Sequence, residues 1–128
     1  MSKLPYRRLI VWQRSQLLAD QVLTLGETAA FRRNWYFRAQ MCDSAMSVPA
    51  NIAEGNGRST PKDYASFLDR SRGSLFELDT WLFTAAGRGW MPEDQQAAME
   101  DEIEQLSAMI LRMATTLRAK DTLPSRAN

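Results

Sequence analysis

Apolar residues recur at helical spacing along most of the chain, and their pattern predicts four helices. In the first helix, over about residues 9–25, the apolar positions step by seven, four and three, so they share one face. In the second helix, over about residues 35–55, they step by four, four, three and four. The predicted core faces of these two helices are Val11, Leu18, Val22 and Leu25, and Phe37, Met41, Ala45, Val48 and Ile52.

The third helix has the most distinct start. Thr60 is a favourable N-cap residue, Pro61 takes the first helical position, and Asp63 adds a carboxylate to the first turn, a combination typical of helix N-termini. The fourth helix follows Pro92, and its apolar residues alternate steps of four and three, as in a heptad seam. The core faces of these helices are Tyr64, Phe67, Leu68, Ser71, Leu75, Leu78 and Leu82, and Met99, Ile103, Leu106, Ile110, Met113 and Leu117.

No segment has the alternation typical of a β-strand. Four amphipathic helices with short connections predict an all-α, antiparallel up-down four-helix bundle. Pro49 lies within the second helix, but the periodicity continues on both sides of it, so we predict a continuous helix that is kinked at this proline. The 128 residues fit a single domain over 1–128, in which we expect residues 121–128 to form a frayed tail.

The aromatic residues exceed what the core of one bundle needs. Trp35, Tyr36 and Phe37 are adjacent, so they cannot all face one core. On the third helix, Phe76 and Phe83 share a stripe roughly 100° away from the core face. Because large exposed apolar patches mark interaction surfaces, we interpret these rings as an interface between copies of the chain; the alternative is that they close the bundle ends within one subunit. The interface candidates are Trp35, Tyr36, Phe76, Trp81 and Phe83.

Charge is unevenly distributed although the net charge is only +1. Residues 1–88 contain 12 Lys and Arg against 8 Asp and Glu, whereas residues 89–128 contain 4 against 7. This asymmetry suits a subunit that docks on copies of itself, but the dipole of the last helix favours it equally. Basic residues near the starts of the first two helices are candidates for binding RNA or DNA phosphates, the alternative being a solvated basic face. They are Arg7, Arg8, Arg14, Arg32, Arg33 and Arg38.

The residue types that enzymes use most often are missing. The chain has no histidine and one cysteine, Cys42, which we expect to be buried. Glu100, Asp101, Glu102 and Glu104 form an acidic cluster that we interpret as a solvated helix face. With no metal-binding or phosphate-binding motif, we predict no catalytic activity, cofactor, metal or small-molecule substrate. No apolar run is long enough to span a membrane, which predicts a cytoplasmic protein.

The most distinctive segment covers residues 47–58, Ser-Val-Pro-Ala-Asn-Ile-Ala-Glu-Gly-Asn-Gly-Arg. We expect it to fix how the second and third helices meet, with Glu54 pairing with Arg58 or Arg72. Gly55 and Gly57 are expected to end the second helix, and Gly73 to allow the two helices to approach closely. The alternative is that Asn51, Glu54 and Arg58 contact a ligand or partner. The residues assigned to this junction are Pro49, Asn51, Glu54, Gly55, Arg58, Arg72 and Gly73.

This segment resembles the hallmark of the small four-helix-bundle family first noticed as proteins encoded by intervening sequences in bacterial 23S ribosomal RNA genes. Where members commonly carry a basic pair before the motif, this chain has Cys42-Asp43. Further matching segments are Val11-Trp12-Gln13, Asp63-Tyr64 with Phe67-Leu68, Gly73-Ser74-Leu75 with Glu77-Leu78, and Gly89-Trp90. The resemblance implies an antiparallel bundle that assembles into rings, typically homopentamers, without enzymatic activity. It also implies a distant relation to the accessory proteins of diversity-generating retroelements, which associate with reverse transcriptase and RNA.

Overall fold

The computed structural model describes residues 3–121 and contains five α-helices and no strand within that range. The chain begins with a short 3-10 helix over Pro5–Arg8. The α-helices are α1 (Ile10–Leu25), α2 (Ala29–Arg33), α3 (Trp35–Asn56), α4 (Pro61–Gly87) and α5 (Glu93–Asp121). The all-α prediction is confirmed, and α1, α3, α4 and α5 are the four predicted helices. The short α2 was not predicted, because five residues are too few to show a helical period.

One buried ring anchors α2. Phe31 is fully buried, and its ring centroid lies 6.2 Å from that of Phe37 and 6.0 Å from that of Trp90. The residue that follows α2, Asn34, donates from its side-chain amide to the carbonyl oxygen of Ala30 at 2.8 Å. Asn34 therefore satisfies a carbonyl at the end of α2 and does not cap the start of α3.

The predicted start of α4 is confirmed. Thr60 Oγ1 accepts a hydrogen bond from the backbone N–H of Asp63 at 3.1 Å, and Pro61 occupies the first helical position. Helix α3 continues through Pro49, as the periodicity predicted. Of the predicted tail over 121–128, Asp121 is the last residue of α5, and residues 122–128 lie outside the described residues.

The predicted core faces of the four long helices meet in one hydrophobic core. Helix α3 packs against α1 and α4, and α5 packs against α4 and α1. Complete burial of a large aliphatic or aromatic side chain contributes about 1.5–3 kcal/mol, so the core is the main source of stability. The largest fully buried apolar side chains of the long helices are Val22, Met41, Val48, Ile52, Leu68, Leu75, Leu78, Leu82, Leu106 and Ile110.

Candidate interaction surfaces

The distinctive motif forms the C-terminal half of α3, and its polar side chains serve the helix itself. Pro49 is buried and supplies no backbone N–H. Close to it, Asn51 Nδ2 donates to the carbonyl oxygen of Ser47 at 2.8 Å. From α4, Ser71 Oγ donates to the carbonyl oxygen of Val48, also at 2.8 Å. The side chain of Asn51 and a hydroxyl of the neighbouring helix therefore bind the carbonyls of the two residues that directly precede the proline.

Helices α3 and α4 pack closely at Gly55. A Cβ atom added to Gly55 would lie 2.7 Å from Cβ of Phe67 and 3.0 Å from Cδ1 of Tyr64. Helix α3 ends at Asn56, one residue beyond the predicted end, and Gly57 is its C-cap residue, so the predicted glycine stop is confirmed although Gly55 itself lies inside the helix. The expectation for Gly73 was wrong, because this residue is exposed and a Cβ there would meet nothing within 4 Å.

The ion pair expected for Glu54 does not form. The guanidinium of Arg58 lies 4.6 Å from the ring centroid of Phe67, and Arg72 Nε donates to Ser107 Oγ of α5 at 3.0 Å. Both cations therefore have other partners, and Glu54 is exposed. The ion pairs of residues 3–121 are Arg14 with Glu102 and Arg118 with Asp69.

Most of the predicted interface rings are exposed in the subunit. Trp81 is different: it is partly buried, and its ring centroid lies 5.5 Å from that of Phe37. Some aromatic rings thus close one end of the helix assembly, as the alternative proposed, whereas others remain on the surface. The exposed fractions are 71% for Trp35, 66% for Tyr36, 49% for Phe76 and 68% for Phe83.

Two of the six candidate phosphate-binding arginines are engaged within the subunit. Arg14 forms an ion pair with Glu102, and the hydrogen bond to that carboxylate raises the pKa of Arg14. Arg38 Nε donates to the carbonyl oxygen of Gly26 at 2.7 Å. These contacts join α1 to α5 and hold the end of α1 against α3, which gives both residues a structural role.

The other four candidate arginines are exposed, but they form two separate pairs. Arg7 and Arg8 precede α1, whereas Arg32 and Arg33 follow it. Helix α1 contains 16 residues, which corresponds to a length of about 24 Å. The structure therefore does not bring the six arginines together into one basic surface.

A hollow between α4 and α5, here called the acidic groove, was not predicted from the sequence. Its volume is about 230 Å³, and one oxygen of Asp79, Oδ1, is buried without a hydrogen-bond partner among the described residues. Burial raises the pKa of the Asp79 carboxyl group, because the charged form is poorly solvated there. The groove is lined by Phe76, Asp79, Glu100, Ile103, Glu104 and Ser107.

A sequence signal for this groove did exist. Asp79 follows Phe76 by three residues and precedes Phe83 by four, so the carboxylate belongs to the second aromatic stripe of α4. The interpretation of the α5 acidic cluster as a uniformly solvated face was too simple. Glu102 pairs with α1, whereas Glu100 and Glu104 line the groove against α4.

The described residues meet neither the requirements of a metal site nor those of a membrane-spanning helix, and they contain the one cysteine. Within 3–121, no group of three or more His, Cys, Asp and Glu residues is arranged to hold a metal ion. Over the same range, no helix has both the length and the apolar character that crossing a bilayer requires. Cys42 is buried, as predicted, and its burial raises the pKa of the thiol.

The fold and these surfaces define a small all-helical protein with a tightly packed motif junction and exposed aromatic rings. The family model for the 23S rRNA-intervening sequence protein matches residues 7–112, which include all of α1 to α4 and most of α5. The chain belongs to this family, as its motif indicated. Comparison with curated proteins gave no match.

Proposed function

We propose that this protein works by associating with copies of itself into a closed ring, and that it is a cytoplasmic protein without catalytic activity or a small-molecule substrate. The observation that supports association is the exposure of four large rings, those of Trp35, Tyr36, Phe76 and Phe83. Exposed aromatic surface of this kind is typical of an interface. The family resemblance favours five subunits.

Within each subunit, we place the four long helices in an antiparallel up-down bundle. The contacts between α3 and α4 support this arrangement, because Ser47 pairs with Ser74 whereas the later Asn56 pairs with the earlier Tyr64. The ion pair between Arg14 and Glu102 joins the first helix of this bundle, α1, to the last, α5. The kink at Pro49 is part of this proposal, since proline removes one helical hydrogen bond.

Light scattering coupled to size-exclusion chromatography tests self-association. At micromolar concentration we expect a multiple of the 14.6 kDa subunit mass, and a shift to the single-subunit mass for the double variant Trp35→Ser/Phe83→Ser. Ile10→Ser is a matched control. Ile10 is a large apolar residue of similar exposure, 60%, but it lies on α1, away from the exposed rings. A wild-type protein that elutes with the mass of one subunit would refute the proposal.

A second candidate function is association with RNA or with a nucleic-acid enzyme. The observation that favours it is the position of the exposed Arg32 and Arg33 next to the exposed rings of Trp35 and Tyr36. Guanidinium groups beside aromatic rings suit phosphates and stacked bases. The engagement of Arg14 and Arg38 within the subunit reduces the surface available for it.

A further inference from the structure

A closed ring of more than two identical subunits needs two different surfaces that complement each other. In such a ring every contact is head-to-tail, so one subunit presents one surface and its neighbour presents the other. The inference below rests on the proposed function and identifies these two surfaces. In a closed ring, every subunit has the same height along the ring axis. The two surfaces must therefore lie at similar heights on the subunit, so that one meets the other on the neighbouring copy.

The acidic groove between α4 and α5 has the properties of one such surface. Its carboxylates belong to Asp79, Glu100 and Glu104, and the guanidinium of Arg72 lies 4.9 Å from the ring centroid of Phe76. The buried oxygen Oδ1 of Asp79 has no donor within the described part of the subunit. The groove thus combines an exposed ring, that of Phe76, with excess negative charge.

The second surface is formed by the end of α2 and the start of α3, and we call it the basic corner. It consists of Arg32, Arg33, Trp35 and Tyr36. Both arginines and both rings are exposed, and the Trp35 and Tyr36 rings contact each other edge to face at 5.9 Å. A shallow hollow beside them is lined by Arg33 and the two rings, together with Asn34 and Phe37. The basic corner therefore pairs positive charge with exposed aromatic area.

The two surfaces lie within about two helical turns of each other along the helix axes. The contact of Phe37 with Trp81 aligns α3 with α4. In the proposed antiparallel arrangement, Trp35 and Phe83 lie on the same side of that level, each about 3 Å from it, whereas Phe76 lies about 8 Å on the other side. The two surfaces belong to different helices, α2 and α3 for one, and α4 and α5 for the other. A subunit can therefore use both surfaces at once.

We propose that the basic corner of one copy docks into the acidic groove of the next copy around the ring. Arg32 and Arg33 then meet the exposed carboxylates of Glu100 and Glu104, and the Trp35 ring packs near Phe76 and Phe83 of the neighbouring copy. Guanidinium groups bind carboxylates in a directional way, and the aromatic rings supply the apolar contact area. The uneven charge along the sequence, with a basic first part and an acidic α5, follows from this pairing.

Charge reversal with full-length protein tests the pairing. Light scattering should give the single-subunit mass for Glu100→Arg/Glu104→Arg, and also for Arg32→Glu/Arg33→Glu. The chain that carries all four substitutions should recover the wild-type mass, because both surfaces are then complementary again. Glu77→Arg is the matched control, since Glu77 is exposed on α4 but does not line the groove.

The outcomes separate this inference from the proposed function. A monomeric wild-type protein would refute both. If the wild type is an oligomer and either double charge-reversal variant has the same mass, the basic corner and acidic groove are not the interface. The proposal of self-association would not be affected by that result. Loss of the oligomer in both double variants without recovery in the fourfold variant would also refute the pairing. Recovery supports it even if a double variant folds poorly, because the fourfold variant contains the same substitutions.

Discussion

At the scale of single residues, Gly55 is a close contact between α3 and α4 with no room for a side chain. A Cβ added there would lie 2.7 Å from Cβ of Phe67, an atom next to the backbone that cannot move without shifting α4. We predict that Gly55→Ala lowers the free energy of unfolding by about 1–3 kcal/mol, as overpacking of a close contact does. Urea denaturation monitored by circular dichroism measures this loss.

Gly73→Ala is the matched control for this substitution. Gly73 also lies inside a helix, but a Cβ there would meet nothing within 4 Å. Removing a glycine from an open helical position raises stability by about 0.5–1 kcal/mol, so the two substitutions should change the free energy of unfolding in opposite directions. Equal changes would contradict the assignment of the close contact to Gly55.

The sequence predicted where α3 ends but assigned the close packing to the wrong glycine. Gly55 and Gly57 were expected to end the helix, which ends at Asn56, whereas the close contact expected at Gly73 lies at Gly55 and Gly73 is exposed. A glycine in a helical pattern marks a place without a side chain, and the facing helix decides whether that space is used. The same limit applies to Arg58 and Arg72, whose partners are Phe67 and Ser107 and not Glu54.

At the scale of helices, Arg14 is the polar connection between α1 and α5. Its guanidinium pairs with Glu102 and donates to Gln105 Oε1 at 2.8 Å. We predict that Arg14→Ala lowers the free energy of unfolding by about 1 kcal/mol, a modest value because the side chains of the pair remain 32% and 29% exposed. Thermal and urea unfolding measure the change.

Arg8→Ala provides the comparison for Arg14→Ala. Arg8 is exposed, and substitution of such a residue usually changes stability by less than about 0.5 kcal/mol. If both substitutions have the same small effect, the pair does not contribute to the packing of α1 on α5. A larger loss for Arg14 supports its removal from the set of phosphate-binding candidates.

The helices themselves were largely predictable. The start of α4 was predicted from Thr60, Pro61 and Asp63, and its cap forms as expected. The prediction missed α2, because it depends on the burial of Phe31 among the rings of Phe37 and Trp90. Long amphipathic helices carry their own periodic signal, whereas a single short turn is stabilised by residues elsewhere in the chain.

At the scale of the whole molecule, RNA binding should depend on assembly if the second candidate function is correct. One subunit has a net charge of +1, and its exposed candidate arginines form two separate pairs, so its own affinity is expected to be weak. A ring multiplies such a weak site through avidity. We therefore predict that labelled single-stranded RNA binds the wild-type oligomer and that Phe76→Ser/Phe83→Ser, which leaves Arg32, Arg33, Trp35 and Tyr36 unchanged, loses this binding.

Fluorescence anisotropy at two salt concentrations measures this prediction. Binding through phosphates should weaken strongly between about 50 and 200 mM NaCl, because counterions are released from the RNA. Arg7→Ala/Arg8→Ala is the comparison that removes charge at the far end of α1 without altering the proposed interface. RNA affinity that does not change with salt concentration, or that is equal in the wild type and the aromatic double variant, would contradict the prediction.

The sequence by itself determined the four long helices, their core faces and the family, because helical periodicity and the motif from Ser47 to Arg58 are local properties of the chain. Only the tertiary structure decided which side chains meet across helices. Asp79 faces Glu100 and Glu104 from another helix, and that groove exists only once α4 and α5 pack together. The physical reason is that each such contact joins residues far apart in sequence. A local sequence pattern does not specify the distance between them in the folded protein.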